Sequence, residues 1–262
     1  MAVNVVEVNH LTKTFRNEKV IDDVSFSIQA NKIYGLLGRN GAGKTTIMHI
    51  LTGQLFASSG EIKVFGEHPY ENNRVLRQLC FIKESQKYPD SFRVRDVIQL
   101  AEHFFPNWDR NYAYKLCKDF RLPLNRTMKK LSRGMRSSVG IIIGLASRAP
   151  LTIFDEPYLG LDAVARTMFY DYLIEDYGTS PRTILLSSHL IDEISEILEH
   201  VMVIDNGKLL VDEDADELRG RAYTVAGTKG NVNTFTAGRT VIAQSQFGAF
   251  VSADVNGKYE QR

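Results

Sequence analysis

A glycine-rich segment constrains this chain more than any other stretch of its sequence. The apolar run Ile33–Leu37 leads into the pattern G-x-x-x-x-G-K-T, and a helix-like segment follows at 46–51. Strand, glycine-rich turn and helix in that order make a cradle in which backbone N–H groups and a helix N-terminus face an anion. Lys44 suits the outer phosphates, and the Thr45 hydroxyl suits Mg²⁺. The predicted nucleoside triphosphate site comprises Gly38, Arg39, Asn40, Gly41, Ala42, Gly43, Lys44, Thr45 and Thr46.

The composition narrows the partners that this chain can have. In 262 residues, 32 Lys and Arg stand against 31 Asp and Glu, so the formal net charge is only +1 and no nucleic-acid partner is expected. Cys80 and Cys117 are far apart in the sequence and do not have the spacing of metal ligands. Reduced cytosolic thiols are therefore the simplest interpretation of these two residues. No signal-like block starts the sequence, and the most apolar run, 139–146, is too short to cross a bilayer. Any role at a membrane is therefore expected to depend on a partner protein.

Two further apolar strands end in residues with catalytic chemistry. Leu151–Asp155 is apolar until its last residue, and Glu156 follows directly. In open α/β sheets the carboxyl ends of strands carry the site, so Asp155 suits a magnesium ligand and Glu156 a base that orients water. The strand predicted at 183–186 leads into His189, which would lie level with these carboxylates. An isolated histidine is more often structural, and both interpretations stay open for His189.

Two other segments also allow a structural and a functional interpretation. Ser132 opens a helix predicted at 132–146, where its hydroxyl suits a cap and Gly134 leaves the first turn open. Residues 12–19 are interpreted as a polar turn that carries one aromatic residue, Phe15. The ring of Phe15 either faces the core, as phenylalanine usually does, or offers a stacking platform for a base.

Shorter periodicities outline the remaining elements. Apolar residues at helical spacing within 94–128 predict an α-rich insert between two β-alternating halves of the chain. Asn206-Gly207 between two apolar runs predicts a hairpin. From residue 220 onward, short alternating runs predict a small β-rich appendage. Further strands are predicted at 3–8, 25–28, 61–66, 79–82, 201–204 and 208–211.

Lined up in order, these motifs resemble the nucleotide-binding subunit of an ABC transporter over residues 4 to about 219. The phosphate loop matches the family's Walker A motif. The strand that ends at Asp155, followed by Glu156, matches Walker B and the catalytic carboxylate. The resemblance implies ATP and Mg²⁺ as cofactors. It also implies roles for Phe15 (stacking on adenine), Gly160, Leu161 and Asp162 (the D-loop) and His189 (the switch histidine).

Two loops depart from the family pattern. Residues 131–135 read Leu-Ser-Arg-Gly-Met where the family has Leu-Ser-Gly-Gly-Gln. Ser132 and Gly134 are retained, and we expect their hydroxyl and backbone N–H to keep facing the γ-phosphate. At the Q-loop position the alignment puts Glu84 where a glutamine is usual, with Gln86 two residues later. Glu84 is favoured as the residue that faces the metal, and Gln86 is the alternative.

The resemblance implies an α/β fold, a P-loop NTPase cassette of the ABC type. Its parts would be a mostly parallel core sheet, an N-terminal antiparallel β-subdomain, an inserted α-helical subdomain and a small β-rich C-terminal appendage. Residues 1–220 would form the ATPase domain, with the helical subdomain at about 90–148. Residues 221–262 would form the appendage, in which no residue carries recognisable chemistry.

In this family two cassettes face head to tail, and each ATP lies between the phosphate loop of one and the Ser132 loop of the other. The resemblance therefore implies an ATPase with two kinds of partner: a second cassette and a separate integral-membrane transporter subunit, which holds the cytoplasmic chain at the inner face of the membrane. Export is favoured because nothing marks an importer. A soluble ABC-type ATPase acting on ribosomes or DNA is the alternative, which one cassette of near-neutral charge fits poorly. A regulatory module without turnover is a third hypothesis, and Glu156 argues against it.

Overall fold

The computed structural model describes residues 3–84 and 86–257. Met1, Ala2, Ser85 and residues 258–262 lie outside the described residues, and so do the outer ends of both predicted domains. The strands are β1 (Asn4–Phe15), β2 (Glu18–Gln29), β3 (Ile33–Leu37), β4 (Ser59–Val64), β5 (Leu79–Ile82), β6 (Leu151–Asp155), β7 (Thr183–Ser188), β8 (His200–Asp205), β9 (Lys208–Asp214), β10 (Ala222–Thr228), β11 (Val241–Phe247) and β12 (Phe250–Asn256). The helices are α1 (Lys44–Leu51), α2 (Asn73–Leu76), α3 (Val94–Phe104), α4 (Arg110–Asp119), α5 (Arg133–Ser147), α6 (Ala163–Thr179), α7 (Ile191–Ile194), α8 (Ala215–Arg219) and α9 (Lys229–Thr236).

Contacts within the chain divide it into two units, Met1–Asp212 and Glu213–Arg262. Across 3–84 and 86–257, no helix combines the length and the apolar character that crossing a bilayer requires.

The central sheet of the first unit has the strand order β5-β6-β7-β3-β8-β9. The pairs from β5 to β8 are parallel. All residues of β3, β6 and β7 are buried, which explains their continuous apolar character, because a parallel sheet is covered on both faces. β7 lies between β3 and β6, with Ser187 opposite Asp155 and Ser188 opposite Leu37. The carboxyl ends of these three strands therefore lie level.

A second sheet in this unit is antiparallel, with the order β2-β1-β4. The prediction of a polar turn at 12–19 is wrong, because β1 and β2 continue through it and only Arg16 and Asn17 form the turn. Thr12 pairs with Ser59 of β4. The side chains of this stretch are partly exposed, so the apolar alternation that marks a half-buried strand is missing there.

Helix α1 starts at the phosphate loop and lies in the main hydrophobic core. Its Ile47 and Met48 are fully buried, in a core that includes residues of both sheets. The helix begins at Lys44, earlier than predicted, and Gly43 caps it in the left-handed region with φ 110°. A Cβ at position 43 would lie 2.4 Å from Cδ1 of Ile21, so only glycine fits there. The end of the phosphate loop is thus fixed by the buried helix α1 that follows it and by the close approach of Ile21 to Gly43.

Helices α3 and α4 lie within the α-rich insert that the spacing of apolar residues predicts at 94–128, and both contact α5, the helix predicted at 132–146. The Ser132 hydroxyl caps α5 as predicted, since it accepts a hydrogen bond from the Met135 N–H at 3.2 Å. Gly144 lets α5 approach β6 closely, because a Cβ there would lie 2.3 Å from the Phe154 ring. This contact joins the helical region to the strand that carries Asp155.

The second unit contains an antiparallel sheet with the order β10-β12-β11. Val232 of α9 is buried against Val251 and Ala253 of β12. The β-rich character matches the prediction, but α9 was not predicted. Its sequence, KGNVNTFT, contains few strong helix formers, so packing against the sheet rather than local propensity accounts for it.

Candidate functional site

Most of the predicted site residues line one cleft of about 500 Å³ at the carboxyl ends of β3, β6 and β7. Two residues that were not predicted, Val20 and Leu159, complete its wall. The predicted residues that line it are Asn40, Gly41, Gly43, Lys44, Thr45, Thr46, Glu84, Asp155, Glu156 and His189. The tertiary structure therefore brings together a glycine-rich loop, a lysine, three carboxylates and a histidine from distant parts of the chain.

Lys44 lies at the centre of this cleft and is only 5% exposed. Its ammonium donates to the backbone oxygens of Gly38 at 2.7 Å and Arg39 at 3.2 Å, and it lies 3.2 Å from Oε1 of Glu156. Gly38 and Arg39 thus shape the loop through their carbonyl groups. The predicted Ala42 is buried next to them. In this geometry Lys44 joins the phosphate loop to the carboxylate at the end of β6.

Thr45 and Asp155 are 110 residues apart in sequence but in direct contact. The Thr45 hydroxyl donates to Oδ2 of Asp155 at 2.8 Å. The Ser187 hydroxyl donates to Oδ1 of the same carboxylate at 2.6 Å and accepts the Glu156 N–H at 2.9 Å. Ser187, on the strand between β3 and β6, therefore fixes both acidic residues. No local signal in the sequence marked Ser187, because its role depends on strand order.

Glu156 and His189 form a close pair. Nδ1 of His189 lies 2.7 Å from Oε2 of Glu156. Glu156 is 7% exposed and has the left-handed φ of 48°, a conformation that costs energy for a residue with a side chain and often occurs at functional sites. The Tyr158 hydroxyl lies 3.0 Å from each of these two side chains. Tyr158 was not singled out from the sequence, where it is one tyrosine among 11.

The Ser132 loop packs on the segment that follows Glu156. The Ser137 hydroxyl donates to the Leu159 carbonyl at 2.9 Å. A Cβ at Gly134 would lie 2.5 Å from the Gly160 carbonyl, so these two segments touch through their backbones. Neither Ser132 nor Gly134 lines the cleft of its own chain.

Arg133 and Glu84, which depart from the family pattern in two different loops, contact each other. The Arg133 guanidinium donates to Oε1 of Glu84 at 2.8 Å. Glu84 lines the nucleotide cleft and also a neighbouring groove of about 450 Å³, whereas Gln86 lines only that groove. With 43% of the Glu84 side chain and 66% of Arg133 exposed, this ion pair contributes little to stability.

Phe15 is another predicted site residue that does not line the cleft. It is the last residue of β1, its side chain is 44% exposed, and the Lys13 ammonium lies 4.8 Å from its ring centroid. Its exposure removes the core interpretation. The ring is accessible for stacking but does not line the cleft of this chain.

The donor set of the cleft suits a nucleotide phosphate with a hard cation. The curled glycine-rich loop, the N-terminus of α1 and the Lys44 ammonium are groups that hold phosphate oxygens. The Thr45 hydroxyl and the carboxylates of Asp155 and Glu84 are oxygen ligands of the kind that Mg²⁺ prefers. Over the described ranges no group of three His, Cys, Asp or Glu side chains forms a full metal cage.

Comparisons with known proteins agree with this geometry. A family model described as ABC transporter matches residues 21–159. The ABC transporter ATP-binding protein YtrB of Bacillus subtilis (strain 168) is 27% identical over 215 residues, which are 82% of this chain and 74% of that protein. The bacitracin transport ATP-binding protein BcrA of Bacillus licheniformis is 30% identical over 220 residues, which are 83% and 72% of the two chains.

A solved structure of an ATP-binding subunit of an ABC transporter superposes with a TM-score of 0.74 at 25% identity. The match covers 82% of this chain and 92% of that one. The predicted α/β cassette fold is thereby confirmed. The chain therefore belongs to the ABC transporter family, as one of its ATP-binding, ATP-hydrolysing cassettes.

Proposed function

We propose that this cassette hydrolyses ATP to move a separate integral-membrane transporter subunit, and that the transport is export. The observation that carries the proposal is the single cleft in which Lys44 and Thr45 meet Asp155, Glu156 and His189. Export is favoured because nothing in the sequence marks an importer. The relative from Bacillus licheniformis, named for bacitracin transport, supports a transport role over the alternative of a soluble ATPase on ribosomes or DNA.

In the proposed reaction, water attacks the γ-phosphorus of ATP and the bond to the bridging oxygen breaks, giving ADP and phosphate. Lys44 neutralises charge on the outer phosphates, so the γ-phosphate competes with Glu156 for the ammonium that now lies 3.2 Å from it. Glu156, freed from Lys44, orients the attacking water as the general base. His189 holds Glu156 in place through the 2.7 Å contact.

Mg²⁺ bound with ATP would neutralise charge that develops on the phosphates. Thr45, Asp155 and Glu84 are the residues we propose to face it. Ser187 keeps Asp155 oriented through the 2.6 Å hydrogen bond. Phe15 is proposed to stack on the adenine, for which its exposed ring is available.

A second cassette completes the proposed site. Ser132 and Gly134 do not line their own cleft, which fits a role toward the γ-phosphate held by a partner cassette. ATP would then stabilise the closed dimer, and hydrolysis would release it.

We propose that residues 1–220 form this ATPase domain, with the helical subdomain at about 90–148 docking on the membrane subunit, and that 221–262 form an extension. The chain would act on the cytoplasmic side, at the inner face of the cell membrane.

Purification of the tagged chain from its own membranes tests this proposal. We expect a multi-spanning membrane protein to co-purify in detergent and to stimulate ATP hydrolysis by the chain. Recovery with ribosomes or DNA, and with no membrane protein, would favour the soluble alternative. The ATPase rate with and without the partner measures the coupling directly.

Substitutions at Glu84 test which residue senses the nucleotide. Glu84→Gln keeps a side chain of the same shape that can still accept from Arg133, so we expect near-normal ATPase activity with a modest change in Mg²⁺ dependence. Glu84→Ala is expected to reduce the stimulation by the membrane partner about tenfold, with a smaller effect on ATP affinity. The measurement is the ATPase rate with and without partner for each variant.

Glu61→Ala is the matched control, because Glu61 also forms an exposed ion pair, with Lys63 at 2.8 Å, on β4. It should leave the stimulation unchanged. Gln86→Ala is the discriminating variant. If Gln86→Ala uncouples the chain from its partner and Glu84→Ala does not, the assignment of Glu84 is wrong.

A further inference from the structure

Tyr158 contacts both side chains on which turnover is proposed to depend. It is 3% exposed, and its hydroxyl lies 3.0 Å from Oε2 of Glu156 and 3.0 Å from Nδ1 of His189. We propose that Tyr158 is a positioning residue, which holds Glu156 and His189 in the geometry that hydrolysis requires. The inference rests on the proposed function, because it takes Glu156 as the base.

The hydrogen bonds around the phenol fix where its proton points. The Ser188 hydroxyl donates to the phenol oxygen at 3.1 Å, and the His189 N–H donates to it at 3.2 Å. The Ser188 oxygen in turn accepts the Leu190 N–H at 2.8 Å, while its own proton is directed at the phenol. Two donors fill both acceptor positions of the phenol, which leaves it only its single proton to give.

The histidine cannot receive that proton. The Glu156 carboxylate is an acceptor, so the 2.7 Å contact between its Oε2 and Nδ1 of His189 requires the tautomer that carries the proton on Nδ1. Nδ1 is therefore a donor, so the phenol donates to Oε2 of Glu156. Burial raises the pKa of Tyr158 to about 12, which keeps the phenol protonated at neutral pH.

This arrangement distinguishes the two oxygens of Glu156. Oε2 accepts from both Tyr158 and His189, whereas among the residues that the structure describes Oε1 faces the Lys44 ammonium alone, at 3.2 Å. Once ATP draws Lys44 to its phosphates, Oε1 is the oxygen left to accept a hydrogen bond from the attacking water. Tyr158 thus determines which oxygen serves as the base.

The ring of Tyr158 is itself held in place. Its centroid lies 5.8 Å from that of the His189 ring, and the Arg166 guanidinium lies 6.0 Å from it. Tyr158→Phe keeps this packing and removes only the hydroxyl. The variant therefore tests the hydrogen bonds and not the ring.

In the full-length chain, we expect Tyr158→Phe to lower kcat by about 10- to 100-fold, with KM for ATP within about twofold of the wild type, because a misoriented base affects the chemical step. Tyr34→Phe is the matched control. Tyr34 is 2% exposed and its hydroxyl accepts the Gln29 N–H at 2.9 Å, outside the cleft. The control should keep kcat within about twofold of the wild type.

ATP affinity in the Glu156→Gln background separates positioning from a purely structural role. Glu156→Gln with and without Tyr158→Phe should bind ATP with the same Kd, within about twofold. A Tyr158→Phe variant with wild-type kcat overturns the inference, and so does a double variant that loses ATP binding. Failure of the proposed function has a different signature: Glu156→Gln alone would then hydrolyse ATP at the wild-type rate, which overturns the role of Tyr158 as well.

Discussion

Glu156→Gln is expected to bind ATP normally and to lose turnover by about 100- to 1000-fold. The amide keeps the shape of the side chain, and its oxygen can still accept from Tyr158 and His189. It cannot serve as a base, and general-base catalysis contributes an effect of about this size. The measurement is steady-state ATP hydrolysis together with an ATP titration.

Trapped ATP should give this variant a second property. If ATP closes two cassettes and hydrolysis opens them, Glu156→Gln should form a stable dimer in ATP that the wild type forms only transiently. Gel filtration with and without ATP detects it. Glu61→Gln, on an exposed carboxylate of β4, is the control and should behave as the wild type does. Hydrolysis by Glu156→Gln at the wild-type rate would remove Glu156 from its role.

Lys44→Ala is expected to weaken ATP binding by about 100-fold or more, which corresponds to about 3 kcal/mol. The phosphates lose the ammonium that the loop carbonyls of Gly38 and Arg39 now hold in place. The substitution also leaves the Glu156 carboxylate, 7% exposed, without its cation. Titration with a fluorescent ATP analogue measures the loss.

Two further variants keep this result interpretable. Lys44→Met retains the apolar stem of the side chain, so it should fold as the wild type does and still fail to bind ATP tightly. Lys63→Ala removes an exposed lysine on β4 and should bind ATP normally. Circular dichroism and the melting temperature establish that each variant is folded. Near-normal ATP affinity in folded Lys44→Met would contradict the phosphate-loop assignment.

The sequence by itself determined the local parts of the site. The glycine-rich loop before α1, the acidic end of β6 and the cap at Ser132 are all patterns of neighbouring residues, and such patterns depend on backbone geometry over a few residues. The hairpin at Asn206-Gly207 is of the same kind, since both residues have the positive φ that its turn requires. Order along the chain was enough to indicate the family.

Tertiary structure alone decided which side chains meet. The position of β7 between β3 and β6 places Ser187 on Asp155 and the Tyr158 hydroxyl on His189, pairs that lie about 30 residues apart in sequence. The Arg133–Glu84 ion pair joins two loops in the same way. These contacts leave no periodic signal, because hydrogen bonds between distant segments follow from strand order and register, which local propensity does not encode. The helix α9 shows the same limit, since packing on a sheet stabilises a segment of low helix propensity.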